Sequence, residues 1–429
     1  MRALLIERQL HRFAAARAAS LVAGPASGIG VGPLRLADVD PPELPGPGWQ
    51  RLRPRLAGIC GSDLHTVDGA SSRYFEPIVS FPFVPGHEIV ADVLDGPLAG
   101  RRVVVEPVLG CEARAIDPPC AACATGRKGA CERIAFGHLR PGLQTGYCRD
   151  TGGGWSDELV AHESQLHVVP AELDDEAAVM VEPAACAVHA ALLGAVVPGE
   201  TVVVLGSGTL GLAVLAALRH LALAGTLICV AKHAVQRDLA ASLGADDVVA
   251  PGELARAVRR ATGSLALEDR GGGIRRLAGG ADVVFDCVGS AATIADSLAV
   301  VRPGGRVVLV GMPGTVRVDL APLWQREITL LGAYAYGAEE RPEGRRSTFD
   351  LAFELVAAAG LERLVSARYP LERYEEAVRH AANAGRRGAV KVVFDLRRAT
   401  GSWRRIGALA AADEEAARAT SGEEVEAAT

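Results

Sequence analysis

Two short runs near the start of the chain bring together side chains that can bind a transition metal. The first, at residues 58–65, reads GICGSDLH, and the second, at residues 85–88, reads PGHE. Thiolate, imidazole and carboxylate groups all bind zinc, and a catalytic zinc keeps one coordination position open for water or substrate. The glycines beside these groups allow the backbone to turn sharply. The two runs together therefore predict a catalytic zinc site.

Four cysteines form a second group with metal-binding spacing. Cys120, Cys123 and Cys131 follow the pattern C-x2-C-x7-C, and Cys111 precedes Cys120 with eight residues between them. Four thiolates around a tetrahedral zinc can hold a loop that has no hydrophobic core of its own. We expect a structural zinc here. The alternatives are a redox-active Cys-x-x-Cys pair and a site of three ligands without Cys111.

A glycine-rich turn follows an apolar run at residues 201–205 and opens an Ala- and Leu-rich helix. In that context the pattern G-x-G-x-x-G predicts a dinucleotide-binding turn. Its first glycine makes the tight turn, its second lets the pyrophosphate approach the helix N-terminus, and its third lets the helix pack on the sheet. The predicted cofactor-binding residues of this turn are Gly206, Ser207, Gly208, Thr209, Leu210 and Gly211.

The residues after the second strand of this region predict which nicotinamide cofactor binds. An Asp or Glu about twenty residues past the glycine turn normally binds the ribose 2′-hydroxyl of NAD. Here the strand at 227–230 is followed by Ala231, Lys232 and His233, without an acid. Lys232 adds a positive charge where the 2′-phosphate of NADP would lie, and His233 could donate a hydrogen bond. We expect NADP to be preferred, with NAD as the alternative.

These motifs resemble those of the zinc-dependent medium-chain dehydrogenases, which include alcohol, polyol and glucose dehydrogenases. The family pattern G-x-C-G-S/T-D-x-H followed by G-H-E is matched at every position, and the resemblance spans roughly residues 34–396. It implies that Cys60 and His87 bind the catalytic zinc. It also implies that Ser62 hydrogen-bonds the substrate hydroxyl and that His65 ends a proton relay to solvent.

Four further residues are expected near the catalytic zinc and the cofactor. Asp63 fits the role of an acceptor for the free ring N–H of His87. In the polyol branch of the family, the residue that matches Glu88 lies in or near the metal's first shell. The resemblance also implies that Glu182 binds zinc directly or through water, where alcohol dehydrogenases have a cysteine instead. By the same analogy Lys391 approaches the cofactor phosphates.

The resemblance identifies the four cysteines as a structural zinc lobe with an insertion between Cys111 and Cys120. The expected content is thus two zinc ions per chain. The resemblance also implies a homo-oligomer, a dimer or a tetramer, and we expect edge strands of the dinucleotide-binding sheet, around residues 305–310, to pair between subunits.

The expected fold is α/β in two parts. The resemblance implies a chaperonin-ten-like β-barrel in the catalytic domain, and the strand–helix rhythm after residue 200 predicts a doubly wound parallel Rossmann sheet. One helix is expected over residues 177–193, with a break at Pro183. The predicted domains are 1–186 (catalytic, with the zinc lobe at 108–134), 187–332 (dinucleotide-binding), 333–396 (return to the catalytic domain) and 397–429 (a tail expected to be disordered).

Composition excludes several classes of function. The 429 residues are 49% hydrophobic and 22% charged, so the chain can bury a sizeable core. The net charge of −6 and the aromatic content of 4% give no support for nucleic acid or a membrane surface as partner. The sequence shows no signal peptide, and nine cysteines with metal-type spacing indicate a reducing compartment. We therefore expect a cytoplasmic protein that acts on a small molecule.

The sequence thus predicts a zinc-dependent oxidoreductase that transfers a hydride between a secondary alcohol, on a polyol, sugar or similar small molecule, and NAD(P). One alternative is a zinc-free quinone or enoyl reductase-like enzyme of the same fold, which would lack Cys60 and His87. Another is a non-catalytic zinc-binding or redox module, which would leave the glycine turn unexplained. Candidate pocket residues are Tyr74, Phe75, Trp155, Tyr334 and Tyr336, and no motif reveals the substrate.

Overall fold

The computed structural model describes residues 1–268, 275–342 and 344–397, and its strands form two large sheets and three two-stranded sheets. The strands are β1 Arg2–Ile6, β2 Leu34–Asp38, β3 Trp49–Gly58, β4 Ile89–Val93, β5 Arg102–Val105, β6 Leu159–His162, β7 Leu166–Val168, β8 Thr201–Leu205, β9 Thr226–Val230, β10 Asp247–Val249, β11 Ala266–Glu268, β12 Arg275–Leu277, β13 Ala281–Asp286, β14 Val301–Leu309, β15 Thr329–Gly332, β16 Ala338–Arg341, β17 Gly344–Ser347, β18 Val365–Tyr369 and β19 Lys391–Asp395.

The helices alternate with these strands mainly in the second half of the chain. They are α1 Leu10–Ala23, α2 Gly61–Val67, α3 Ala121–Ala124, α4 Asp175–Val179, α5 Val181–Leu193, α6 Thr209–His220, α7 Ala234–Ser242, α8 Leu254–Thr262, α9 Ala291–Val300, α10 Ala321–Gln325, α11 Thr348–Ala359 and α12 Tyr374–Ala382. None of the helices in the described part of the chain has both the length and the apolar composition that crossing a bilayer requires.

The first sheet has the order β18-β19-β3-β4-β5-β7, with β6 also paired to β3. Apart from the parallel pair β18–β19, its strands run antiparallel. Strand β3 is the hub of this sheet because it pairs with β19, β4 and β6. The metal-binding run at 58–65 follows β3 directly, and the run at 85–88 precedes β4, so the sheet brings the two runs side by side.

The second sheet is parallel throughout, with the order β10-β9-β8-β13-β14-β15. Its central strand β8 is completely buried, as expected for a strand covered by helices on both faces. The chain reverses its direction of travel across the sheet between β8 and β13, and ligands of doubly wound folds bind at that point. This confirms the predicted Rossmann fold.

Two predictions about local structure are wrong. Residues 305–310 do not form a sheet edge, because β14 pairs with β13 on one side and with β15 on the other. Strand β15, which no sequence pattern predicted, forms the edge beyond β14, and β10 forms the opposite edge. The helix over 177–193 breaks at Met180 rather than at Pro183. Pro183 lies in the first turn of α5, where a missing backbone N–H costs nothing.

An unexpected element fills the gap between β1 and β2, which form an antiparallel pair. Helix α1 and the turns that follow it lie in this gap, in a segment to which no sequence motif assigned a role. The predicted domain boundaries stay a prediction, and the predicted tail at 397–429 lies, apart from Arg397, outside the described residues.

Candidate active site

A cleft of about 1530 Å³ gathers most of the predicted site residues. Those that line it are Cys60, Ser62, His65, His87, Glu88, Cys131, Glu182, Gly208, Thr209, Leu210, Gly211, His233 and Lys391. The metal-binding runs, the Glu182 helix and the glycine turn therefore face one continuous space. Of the remaining predicted residues, Asp63 lies behind this wall, and Lys232 is exposed outside it.

Helix α2 presents the thiol and the hydroxyl. Cys60 immediately precedes the helix, and its backbone N–H donates to Asp63 Oδ2 at 3.0 Å. This local hydrogen bond fixes the helix start. Ser62 and His65 lie three residues apart on α2, which places them on one face of the helix. Burial lowers the pKa of His65, so its imidazole is neutral at neutral pH and can accept a proton.

Asp63 lies beside His87, the second predicted metal ligand. Its Oδ1 lies 3.6 Å from His87 Nδ1, and both side chains are almost completely buried. Burial alone would lower the pKa of His87, but the Asp63 carboxylate and the Cys60 thiol raise it well above its usual value. This arrangement is the one expected if Asp63 orients the ring and leaves its other nitrogen for a metal.

Glu88 and Lys391 form a buried ion pair at the floor of the cleft. The Lys391 ammonium also donates to the Ile59 carbonyl at 3.3 Å. A Cβ at position 58 would lie 1.7 Å from Glu88 Oε2, so Gly58 is required by the close approach of this carboxylate. Lys391 thus contacts the metal-binding runs in this structure, and its predicted role on the cofactor phosphates stays a prediction.

Glu182 is buried in the first turn of α5 and accepts a hydrogen bond from the Tyr336 hydroxyl at 3.1 Å. The Cys186 thiol, one turn further along α5, lies 3.7 Å from the same oxygen. Burial raises the pKa of the Glu182 carboxyl to about 7. A cation at this position would favour the ionised form, as expected for a metal ligand. Cys186 was missed by the sequence analysis, although its spacing from Glu182 places the two on one helix face.

The four cysteines of the lobe are already assembled. Their sulfur atoms all lie within 4.8 Å of one another, and no other set of three or more His, Cys, Asp or Glu side chains in the described residues is gathered as tightly. The Cys111 and Cys131 sulfurs are 3.7 Å apart. Four thiolates at about 2.3 Å from a zinc ion would be about 3.8 Å apart, so the set fits tetrahedral zinc. Cys111 belongs to the set, which counts against the three-ligand alternative.

A buried arginine in the insertion ties this lobe to the next loop. Arg114 has no exposed surface, and it donates to five backbone carbonyls without a carboxylate partner in the described hydrogen bonds. The acceptors are Leu109, Phe136, Leu139, Arg140 and Gly142. The residues that follow this loop, Leu143 and Gln144, line the cleft. No sequence pattern predicts this role, since arginine is usually exposed.

The glycine turn has the shape that a dinucleotide requires. Gly206 has a φ of +93°, which favours glycine, and a Cβ on Gly211 would lie 1.8 Å from the Gly206 carbonyl oxygen. The Ser207 hydroxyl donates to the Val230 carbonyl at 2.7 Å and ties the turn to β9. Gly208 precedes the first residue of α6, so the helix N-terminus opens towards the cleft.

The candidate pocket residues divide into two groups. Tyr74, Phe75 and Tyr334 line the cleft, but Trp155 and Tyr336 do not. Trp155 is a core residue whose indole N–H donates to the Gly58 carbonyl at 3.1 Å, and Tyr336 supports Glu182 from behind. The sequence analysis also missed Tyr147. Its ring lies 5.9 Å from that of His87, and its hydroxyl lies 3.4 Å from Asp63 Oδ1.

Comparison with known proteins agrees with this geometry. Residues 46–171 match the alcohol dehydrogenase GroES-like domain, and residues 209–358 match the zinc-binding dehydrogenase family. An L-idonate 5-dehydrogenase from Vitis vinifera is 29% identical over 380 residues, which cover 86% of this chain and 93% of the relative.

Two solved structures extend the comparison. The L-idonate 5-dehydrogenase of Escherichia coli is 25% identical, with a TM-score of 0.62 and coverage of 84% of this chain and 93% of that one. A Sinorhizobium meliloti 1021 protein solved bound to NADP is 27% identical, with a TM-score of 0.62 and coverage of 84% and 95%. The chain belongs to the zinc-dependent medium-chain dehydrogenase family.

Proposed function

We propose that this protein is a zinc-dependent dehydrogenase that transfers a hydride between a secondary alcohol and NADP. One observation carries the proposal: a single cleft is lined both by the predicted metal ligands Cys60, His87 and Glu182 and by the glycine turn of a Rossmann sheet. Binding a metal-held alcohol beside a nicotinamide requires these two features to share one space.

The residues around the cleft have separate tasks in this reaction. Cys60, His87 and Glu182 would hold the zinc, which when bound supplies Lewis-acid polarisation of the alcohol oxygen. Ser62 would hydrogen-bond the substrate hydroxyl and direct its proton away from the reacting carbon. His65 is neutral at neutral pH because burial lowers its pKa, so it can accept that proton.

The other residues position these groups. Asp63 holds the His87 ring from behind, and Tyr336 donates to Glu182. Glu88 is paired with Lys391, so the lysine partly compensates the negative charge that Glu88 presents to the metal position. Direct binding of zinc by Glu88 would require this ion pair to open.

The substrate class is proposed from the relatives and from the zinc chemistry. The Vitis vinifera and Escherichia coli relatives are named L-idonate 5-dehydrogenases, which supports a secondary alcohol on a polyol, sugar or similar small molecule. We further propose a cytoplasmic homo-oligomer, with β15 as the strand available for pairing between subunits, because it ends the six-stranded sheet.

The cofactor proposal rests on the end of β9. No carboxylate follows that strand, Lys232 is exposed beside it, and His233 and Arg386 line the adjacent end of the cleft. These groups are cationic or can donate hydrogen bonds, as a 2′-phosphate requires. The NADP bound to the Sinorhizobium meliloti protein supports this choice.

The test is kcat/KM for a panel of polyols, sugars and simple secondary alcohols with each cofactor. We expect turnover with NADP, and we expect Lys232→Ala to lower kcat/KM for NADP by about tenfold, the loss of one phosphate contact. The same variant should leave kcat/KM for NAD unchanged, which serves as its internal control. A preference of the wild type for NAD, or an unchanged NADP value in the variant, would contradict the cofactor proposal.

A further inference from the structure

The segment between β1 and β2 forms the outer wall of the substrate end of the cleft. It contributes Arg8, Leu10, Phe13 and Pro25 to the lining. This segment lies outside the two ranges that match the family, 46–171 and 209–358. The two family matches therefore do not describe this segment.

The wall is firmly attached to the catalytic motif. Both oxygens of Asp68, the residue that ends α2, accept the Ala26 N–H at 3.0 and 3.1 Å. Gly69 approaches α1 so closely that a Cβ there would lie 2.5 Å from the Phe13 carbonyl oxygen. Because α2 carries Ser62 and His65, the position of α1 is fixed relative to the reacting groups.

A series of aromatic rings runs from this wall to the metal-binding run. Successive ring centroids are 6.2, 5.2, 5.3 and 5.9 Å apart. The rings, in order, are Phe13, Phe81, Phe83, Tyr147 and His87, and all five border the cleft. Phe83 and Tyr147 are buried, so one side of the substrate path is backed by aromatic rings from the outer wall to the metal-binding run.

Several polar side chains at the outer end already have protein partners, whereas Arg73 is almost fully exposed, with its Nε 3.9 Å from Glu76 Oε2. Arg8 forms an ion pair with Glu76. The Ser71 hydroxyl lies 3.0 Å from that of Thr66, and the Ser72 hydroxyl accepts the Tyr74 N–H at 3.3 Å. A substrate hydroxyl placed here would lose its hydrogen bonds to water and would gain few from the protein, which is unfavourable. An apolar substituent of a substrate would be transferred here from water to an apolar wall, which is favourable.

We propose that the segment from Arg8 to residue 33 builds an outer subsite for an aryl or alkyl substituent of the secondary alcohol. The inference rests on the proposed function and keeps its reacting secondary alcohol, but it places an apolar substituent where a polyol or sugar would carry hydroxyl groups. The reacting carbinol lies at Ser62 and the metal ligands, and its apolar substituent extends along the aromatic series towards Leu10 and Phe13.

The test compares 4-phenyl-2-butanol with 2-butanol, two secondary alcohols that differ in the apolar substituent. In the wild type we expect kcat/KM for the phenyl substrate to be higher by at least about tenfold. Leu10→Ser and Phe13→Ala should reduce this ratio by about three- to tenfold through KM, with little change for 2-butanol. The matched control is Leu21→Ser, since Leu21 lies on the same helix, is 69% exposed compared with 71% for Leu10, and does not line the cleft.

The outcomes separate the two proposals. If no alcohol is turned over with either cofactor, the proposed function and the inference both fail. If both butanols are turned over with equal kcat/KM, or if Leu10→Ser lowers the ratio no more than Leu21→Ser does, the subsite is wrong and the proposed function stands. Phe13 packs against the core, so its variant is interpreted only if its melting temperature is retained. The exposed Leu10 keeps the test decisive in either case.

Discussion

The two predicted metal sites differ in how far the chain alone assembles them. In the lobe, four sulfurs lie within 4.8 Å of one another, and backbone N–H groups donate to all four. The donors are those of Cys111, Cys120, Cys123 and Arg133. At the cleft, the ligands come from three separate elements, with the Asp63 carboxylate beside His87 and the Tyr336 hydroxyl on Glu182. The first site is closed by sulfur alone, whereas the second leaves room for a substrate.

This difference supports the proposal that the same metal has two distinct uses. A site of four thiolates has no open position, so its metal contributes folding free energy. A site of mixed ligands in a cleft can accept a substrate oxygen, and its groups must also hold a proton or release one. The raised pKa of Glu182, about 7, belongs to this second kind of site.

The largest expected effect comes from removing one sulfur from each site in turn. Cys60→Ser should lower kcat by at least about 10³-fold, because the Lewis acid would be lost or misplaced. Serine also suits the position before a helix, so the fold and NADP binding should persist. Cys120→Ser should instead lower the melting temperature, by at least about 5 °C. Activity assays, cofactor titration and thermal melts on both variants measure this. If the two variants lose activity and thermal stability to a similar extent, the proposed distinction between the two sites is wrong.

A smaller effect is expected from Arg114, which closes the lobe against the loop at 136–142. Arg114→Met should lower the free energy of unfolding by about 3 kcal/mol, because buried carbonyls lose their donors. Arg127→Met is the control, since Arg127 is exposed in the same lobe, and its effect should stay within about 0.5 kcal/mol. Denaturant unfolding of the zinc-loaded protein provides the measurement. Equal stability of the two variants would show that the lobe does not depend on Arg114.

Local motifs predicted most of the fold and the short-range part of the site. The run at 58–65 and the glycine turn combine residue type with fixed spacing, and the structure brings both to one cleft. Glu182 was predicted only through the resemblance, since no local pattern links it to a run about a hundred residues earlier. Tyr336, which hydrogen-bonds it, is separated by 154 positions along the chain. Such a contact depends on how distant parts of the chain pack together, and no local sequence pattern indicates it.

The misses have related causes. Strand β15 is short and follows a helix, so its pairing beside β14 could not be read from the run at 305–310 alone. The wall formed by α1 depends on Asp68 and on the glycines that let backbones approach closely, and neither has a sequence signature. Arg114 is a charged residue that the fold buries completely, against the usual preference of arginine.

The most direct test removes zinc from the wild-type protein in steps. Zinc content, activity and folded fraction are measured in each sample. We expect two zinc ions per chain at the start. Activity should disappear with loss of the first ion, while the circular dichroism spectrum and the melting temperature should change only when the second is lost. Full activity in a chain that retains only the lobe zinc, or a starting content of one zinc or none, would contradict the central claim that a second, open zinc site performs the chemistry.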